Sequence, residues 1–147
     1  MYIPTPAGTI DHFIPKARRP DLAYEWQNLR LALHRMNLYK GDSTDVLDPF
    51  TIQSGWFVLD FPSCLVRPGF GLTPEQTRQV EASIATLKLN TDDSLVQDRC
   101  DVMVMFAQDH VGLGFLQRRY PFLAAEIVRQ GIQQTARAIF KTPQALP

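Results

Sequence analysis

The sequence predicts a small α+β fold, and three patterns carry that expectation. Near the N-terminus, two short apolar runs, residues 9–14 and 29–32, flank a polar loop and lead into a helical stretch that stops at Gly41. Residues 46–65 are rich in aromatic and β-branched side chains and read as a β-hairpin. From Thr73 onward, apolar residues recur at helical spacing behind recognisable cap residues, which predicts about three helices. The expected organisation is one domain over 1–147: a strand–strand–helix module at 1–45, a hairpin extension at 46–68 and a helical scaffold at 73–140.

Each element has a local reason. Pro4, Pro6 and Gly8 make residues 1–8 an extended lead-in. The first strand, 9–14, is stopped by Pro15, which brings no N–H to a ladder. Lys16-Ala17-Arg18-Arg19-Pro20 is a polar loop of a kind that can follow a phosphate backbone. Residues 21–26 read as a single helical turn with Leu22, Tyr24 and Trp26 packed inward; stacking of Trp26 on a base is the alternative. The second strand follows at 29–32 and a helix at 33–40, with Gly41 as its stop. His34 stands three residues before Asn37 on that helix and reads as exposed or facing a partner, with a place in a metal site as the alternative. Asp45 and Asp48 read as turn or cap residues, with cation binding as the other option.

Phe50-Thr51-Ile52 is expected to pair with the strand that begins at Trp56, across the Gln53-Ser54-Gly55 turn. Thr73-Pro74-Glu75-Gln76 combines an N-cap, a proline in the first turn and a capping box. Its helix is expected to reach about Lys88 with Val80, Ile84 and Leu87 on one face. Thr91-Asp92-Asp93 caps the next helix, whose apolar face takes in Leu95, Val96, Cys100, Met103 and Phe106. A last helix is expected over residues 121–140, with a frayed tail from Lys141. Asp109-His110 reads as a helix end, where an imidazole favours the negative pole of the dipole. Gly112-Leu113-Gly114 lacks the third glycine and the strand context of a dinucleotide loop.

Composition excludes several classes. The apolar and charged shares are ordinary for a globular chain, no apolar run approaches a membrane span, and no charged-then-apolar leader opens the sequence. Two isolated cysteines do not make a disulfide framework, so a cytoplasmic protein is expected. Formal net charge is zero, but it is unevenly spread. Residues 1–40 hold six basic and three acidic side chains, and the remainder nine and twelve. The modest positive excess coincides with the polar residues considered next, and a basic footprint this weak suggests that a partner delivers any nucleic acid.

Asp11-His12 ends the first strand, Asn28 opens the second, and Asn37 lies on the helix. Each has an ordinary reading alone: a turn cap, a strand start, a helix end. In this order they resemble the HNH (ββα-metal) nuclease motif, in the form where an asparagine stands on the helix. The flanking residues are similar to the HNH effectors of bacterial anti-phage systems of the retron and Septu type. They are His12-Phe13-Ile14-Pro15-Lys16, Leu22-Ala23-Tyr24-Glu25-Trp26-Gln27-Asn28-Leu29, Asn37-Leu38-Tyr39-Lys40-Gly41-Asp42 and Val46-Leu47-Asp48-Pro49-Phe50. The resemblance is detailed over residues 8–68.

The resemblance implies a metal-dependent endonuclease that hydrolyses phosphodiester bonds in DNA, with RNA as the other candidate. His12 would be the general base, since only imidazole titrates near working pH unaided. Asp11 and Asn37 would hold Mg²⁺ or Mn²⁺, which favour oxygen donors. Asn28 would pin the loop that aims His12, and Lys40 would steady a phosphate oxygen. Lys16, Arg18, Arg19 and Arg35 are the expected nucleic-acid contacts. A partner defence protein or ATPase is implied as well, and no membrane. The family often carries zinc-binding cysteine pairs around the motif, but here the helix side reads Ala32-Leu33-His34-Arg35-Met36, so no structural zinc is expected and Leu33 and Met36 are expected to fill that space. The alternative is an HNH-fold adaptor with little activity, binding nucleic acid or protein beside a partner.

Overall fold

The computed structural model describes residues 8–140, so the expected lead-in and tail lie outside the described residues apart from Gly8. Strand β1 (Gly8–His12) runs antiparallel to β2 (Leu29–Leu33), with Asp11 opposite Arg30 and Ile10 opposite Leu31. Successive strand residues face opposite sides. Asp11 and Arg30 are accordingly buried, while Ile10 and Leu31 are exposed. Helix α1 (His34–Lys40) follows β2 without a linker and buries Met36 and Lys40, four residues apart on one stripe. It ends at Gly41, where φ is +50° and ψ −128°, a backbone conformation costly for any residue with a Cβ. Leu33 and Met36 are both in the core.

Strands β3 (Phe57–Asp60) and β4 (Leu65–Pro68) make a second two-stranded sheet. Five helices follow: α2 (Pro74–Thr86), α3 (Asp93–Ala107), α4 (Leu113–Arg119), α5 (Pro121–Arg129) and α6 (Ala136–Ile139). The chain is thus α+β, with two small sheets and six α-helices among the described residues.

Contacts divide the described chain into two compact units, one of residues 8–57 and 67–89, the other of 58–66 and 90–140. The sequence groups α2 with the later helices, whereas its contacts place it with β1, β2 and α1. The Leu47 amide donates to Ser83 Oγ of α2 at 2.8 Å, and Ser83 Oγ donates onward to Gln79 O at 2.9 Å. Lys88 Nζ stands 4.6 Å from the centroid of the Tyr39 ring. Val80 is fully buried in the same unit. The α2 N-terminus carries the expected capping box, reciprocal between Thr73 and Gln76.

The second unit packs Leu59, Phe61, Cys64 and Val66 with Leu95, Met103, Leu116, Leu123 and Ile127, all strongly buried. The Asn90 side chain completes β4 as a strand would, accepting from Val66 N and donating to Val66 O, both at 2.8 Å. Glu126, only 3% exposed, accepts from Leu59 N at 3.0 Å, and Gln130 donates to Leu59 O at 2.7 Å. Burial of Glu126 raises its pKa, but Arg129, the Leu59 amide and Gln130 outweigh that, and the carboxyl titrates below its ordinary range.

Four expectations are corrected here. Residues 46–52 form turns rather than a strand, because Asp48 bonds the Phe50 amide and Arg30 and closes the chain on itself. The hairpin is instead β3–β4, around residues 61–64. Of the residues expected to pack inward over 21–26, Leu22 is half-buried but Tyr24 is 98% and Trp26 83% exposed; the segment holds two short 3₁₀ turns, at Pro20–Leu22 and Trp26–Asn28. The last helix is not continuous, since the chain turns at Gly131, where φ is +64°. Helix α4 begins at the Gly112-Leu113-Gly114 stretch, which the sequence leaves outside any helix. The cysteines, 36 positions apart in sequence, are neighbours in the second unit, both as free thiols, and Cys64 Sγ lies 3.7 Å from Phe61 O.

Candidate active site

The β1–β2 ladder, the loop between the strands and α1 bring the polar residues of the first unit to one strand end. Asn28 holds the loop. Its Oδ1 accepts from Ile14 N at 2.8 Å, and its Nδ2 donates to Ile14 O at 3.0 Å and to Leu22 O at 3.3 Å. Phe13 N donates to Asn28 O at 2.9 Å, so the two ends of the loop are laced together. An amide can do this because it offers a donor and an acceptor on one short side chain.

His12 ends β1 and is half-buried. Its Nε2 lies 2.9 Å from Ala23 O. A carbonyl only accepts, so Nε2 carries the proton and Nδ1 is the lone-pair nitrogen of the neutral ring. Asp11, one residue earlier, is 7% exposed. Lys40 Nζ donates to Asp11 Oδ1 at 3.0 Å and to His12 O at 2.7 Å. The ammonium expected at a phosphate is therefore 5% exposed and bound to the protein. From this position it ties the end of α1 to the end of β1.

Asn37, half-buried on α1, donates from Nδ2 to Ile10 O at 3.3 Å, so the helix meets β1 at the residue before Asp11. No fully buried side-chain nitrogen or oxygen among the described residues lacks a hydrogen-bond partner. An Asp11 oxygen and the Asn37 amide oxygen suit a hard divalent cation in kind. Such a cation would compete with the Lys40 ammonium for Asp11. No group of three His, Cys, Asp or Glu side chains stands together among the described residues; an aspartate–asparagine pair completed by water is not such a group.

The expected nucleic-acid contacts divide. Lys16 and Arg18 are exposed on the loop. Arg19 is exposed too, but its Nε donates to Asp21 Oδ1 at 2.9 Å. That pairing raises the Arg19 pKa and lowers that of Asp21. Arg35 is half-buried, and His34 and Asp45 are exposed.

The sequence did not signal Arg30 as a site residue. Its Nε and Nη2 grip Asp48 at 2.9 and 2.6 Å, and its Nη1 donates to the carbonyls of Gln27 and Leu29. The guanidinium lies 5.4 Å from the Phe13 ring centroid and 4.2 Å from that of Phe50. Its bond to Asp48 holds that carboxyl below its ordinary pKa. A charged residue inside the apolar run Leu29-Arg30-Leu31-Ala32-Leu33 was the available sign, since a strand buries such a residue only with a partner.

The chain matches no family model, no curated protein and no solved structure.

Proposed function

We propose that the first unit is an HNH endonuclease site hydrolysing phosphodiester bonds in DNA. The observation that carries this reading is the bond from His12 Nε2 to Ala23 O, 2.9 Å, made by a histidine that follows Asp11 at a strand end. It fixes the tautomer that a general base needs. Nδ1 takes a proton from water, and the Ala23 carbonyl steadies the imidazolium that results. Asn28 keeps the loop bearing Ala23 in place, so it acts through His12. Lys40 orients Asp11 and the His12 backbone. Asp11 and Asn37 would hold Mg²⁺ or Mn²⁺, which supplies charge opposite the negative charge that develops on the phosphate. Lys16 and Arg18 offer cations for the backbone. An anti-phage effector working with a partner defence protein or ATPase is the biological setting this reading favours.

Nicking of supercoiled plasmid with Mg²⁺ or Mn²⁺ tests the proposal. The chain should nick, and His12→Ala should abolish nicking while the protein stays folded. Activity surviving in both His12→Ala and Asn37→Ala rejects it. One observation favours a second reading, an adaptor with little activity: Lys40 already balances Asp11 at 3.0 Å, which weakens the pull on a cation. Robust nicking by the isolated chain rejects that reading.

A further inference from the structure

The two aromatic side chains before Asn28 are turned to water, and beside Trp26 the outer face of the β1–β2 ladder is apolar. Ile10 and Leu31, directly opposed, are 60% and 71% exposed, and Phe50 is 78% exposed. Ile10, Leu29, Leu31, Trp26, Phe50 and Arg30 line an open groove of about 650 Å³. We propose that this groove is a base-binding subsite for single-stranded nucleic acid, with an unpaired base stacked on the Trp26 indole and the adjoining phosphates on Lys16 and Arg18. The proposal rests on the reading of Asp11 and His12 as a phosphodiester site, and it names the form of substrate that site receives.

Charge complementarity selects this occupant over an apolar peptide. Lys16 and Arg18 are exposed and have no side-chain partner among the described residues. Both sit on the loop that carries Trp26. The paired bonds between Ile14 and Asn28 close that loop. Lys16 lies two residues beyond Ile14 and Trp26 two before Asn28, each at most about 7 Å of chain from the staple. The staple therefore keeps the backbones of Lys16 and Trp26 within about 20 Å of each other, on one loop. Glu25, between the aromatics, is the opposing charge; Asp21 is taken up by Arg19, and Asp48 by Arg30.

The chemistry of the lining agrees. A base presents its flat face only when it has no stacked neighbour there, so an exposed indole over an apolar floor favours unpaired strands. Arg30 is locked to Asp48 and stacked on Phe50, and so stiffens the wall. The groove also reaches the strand end that carries His12: Leu29, in its lining, is the register partner of His12.

The test is binding of a fluorescently labelled oligothymidylate of about ten nucleotides, a length within single-strand site sizes, by the full chain in EDTA, read by anisotropy. A duplex of equal length is the comparison. The single strand should bind more tightly than the duplex. Trp26→Ala should weaken it about tenfold, and Trp26→Phe should keep most of the affinity. Lys16→Gln with Arg18→Gln should flatten the salt dependence. Wild-type affinity in Trp26→Ala, preference for duplex, or no binding of the single strand overturns the proposal. If Trp26→Ala binds and nicks as wild type while His12→Ala is inactive, the subsite fails and the nuclease stands. If binding depends on Trp26 and nothing is cut, the nuclease reading fails alone.

Discussion

Lys40 Nζ stands 3.0 Å from Asp11 Oδ1 and 2.7 Å from the backbone oxygen of His12. One ammonium at the last turn of α1 therefore fixes two consecutive residues of β1. Both partners of the ion pair are buried, so its removal leaves a carboxylate in a poor solvent.

Lys40→Met keeps the aliphatic stem and removes the charge. Breaking a buried pair in this way costs about 3–5 kcal/mol. With Asp11 as a cation ligand, millimolar Mg²⁺ or Mn²⁺ should restore part of that loss, and more in the variant than in the wild type. Urea unfolding with and without metal measures the difference. Equal responses in the two proteins count against Asp11 as a ligand.

Asn28→Ala removes three hydrogen bonds from a residue 5% exposed. At about 1 kcal/mol net for each bond, the loss should be about 2–3 kcal/mol. Because the loop also carries Ala23, the variant should lose nicking rate more than substrate affinity. A rise in KM with kcat unchanged would show that Asn28 does not position His12.

The order strand, loop, strand, helix was legible because the two short apolar runs, Pro15 and Gly41 are strong local signals. The capping box at Thr73 was legible for the same reason. Trp26 was not, since an aromatic beside a strand reads as core, and only the fold shows Ile10 and Leu31 exposed on the β1–β2 ladder beside it. The destination of Lys40 was hidden as well: its neighbour Asp11 is 29 positions away. Arg30 with Asp48 likewise joins segments that no local pattern connects. The break at Gly131 was readable in principle from the glycine, but the apolar spacing continues through it.

The pair of Arg30 and Asp48 predicts an acid response. The Arg30 bond lowers the Asp48 pKa, against burial, which raises it. A carboxyl with a depressed folded pKa stabilises the fold above its unfolded value, near about 4, and that stabilisation is lost as pH falls through the folded value. Glu126 contributes with the same sign. Stability should thus decline below about pH 4. Asp48→Asn should be less stable than wild type at pH 7, with the gap closing in acid. Denaturant midpoints across pH report this, and a gap that stays constant refutes the assignment.

The two thiols should differ. Burial, and then Cys100 beside it, push the Cys64 thiol far above its ordinary pKa. Cys64 is fully enclosed and Cys100 only half-buried. An aromatic disulfide reagent at about pH 8, close to the ordinary thiol pKa, should titrate at most one thiol in the native protein and both after denaturation. Rapid reaction of both under native conditions would contradict the packing around Cys64.

The first unit takes its parts from two separated stretches, with residues 58–66 belonging elsewhere between them. A ribosome delivers Asp11, His12, Asn28, Asn37 and Lys40 well before it delivers Val80 and Ser83. A nascent chain paused within β3–β4 would hold every residue proposed to cut, yet lack α2, which belongs to the same unit. Competence would then arise at a late moment of synthesis, in one step, when α2 emerges and closes the unit.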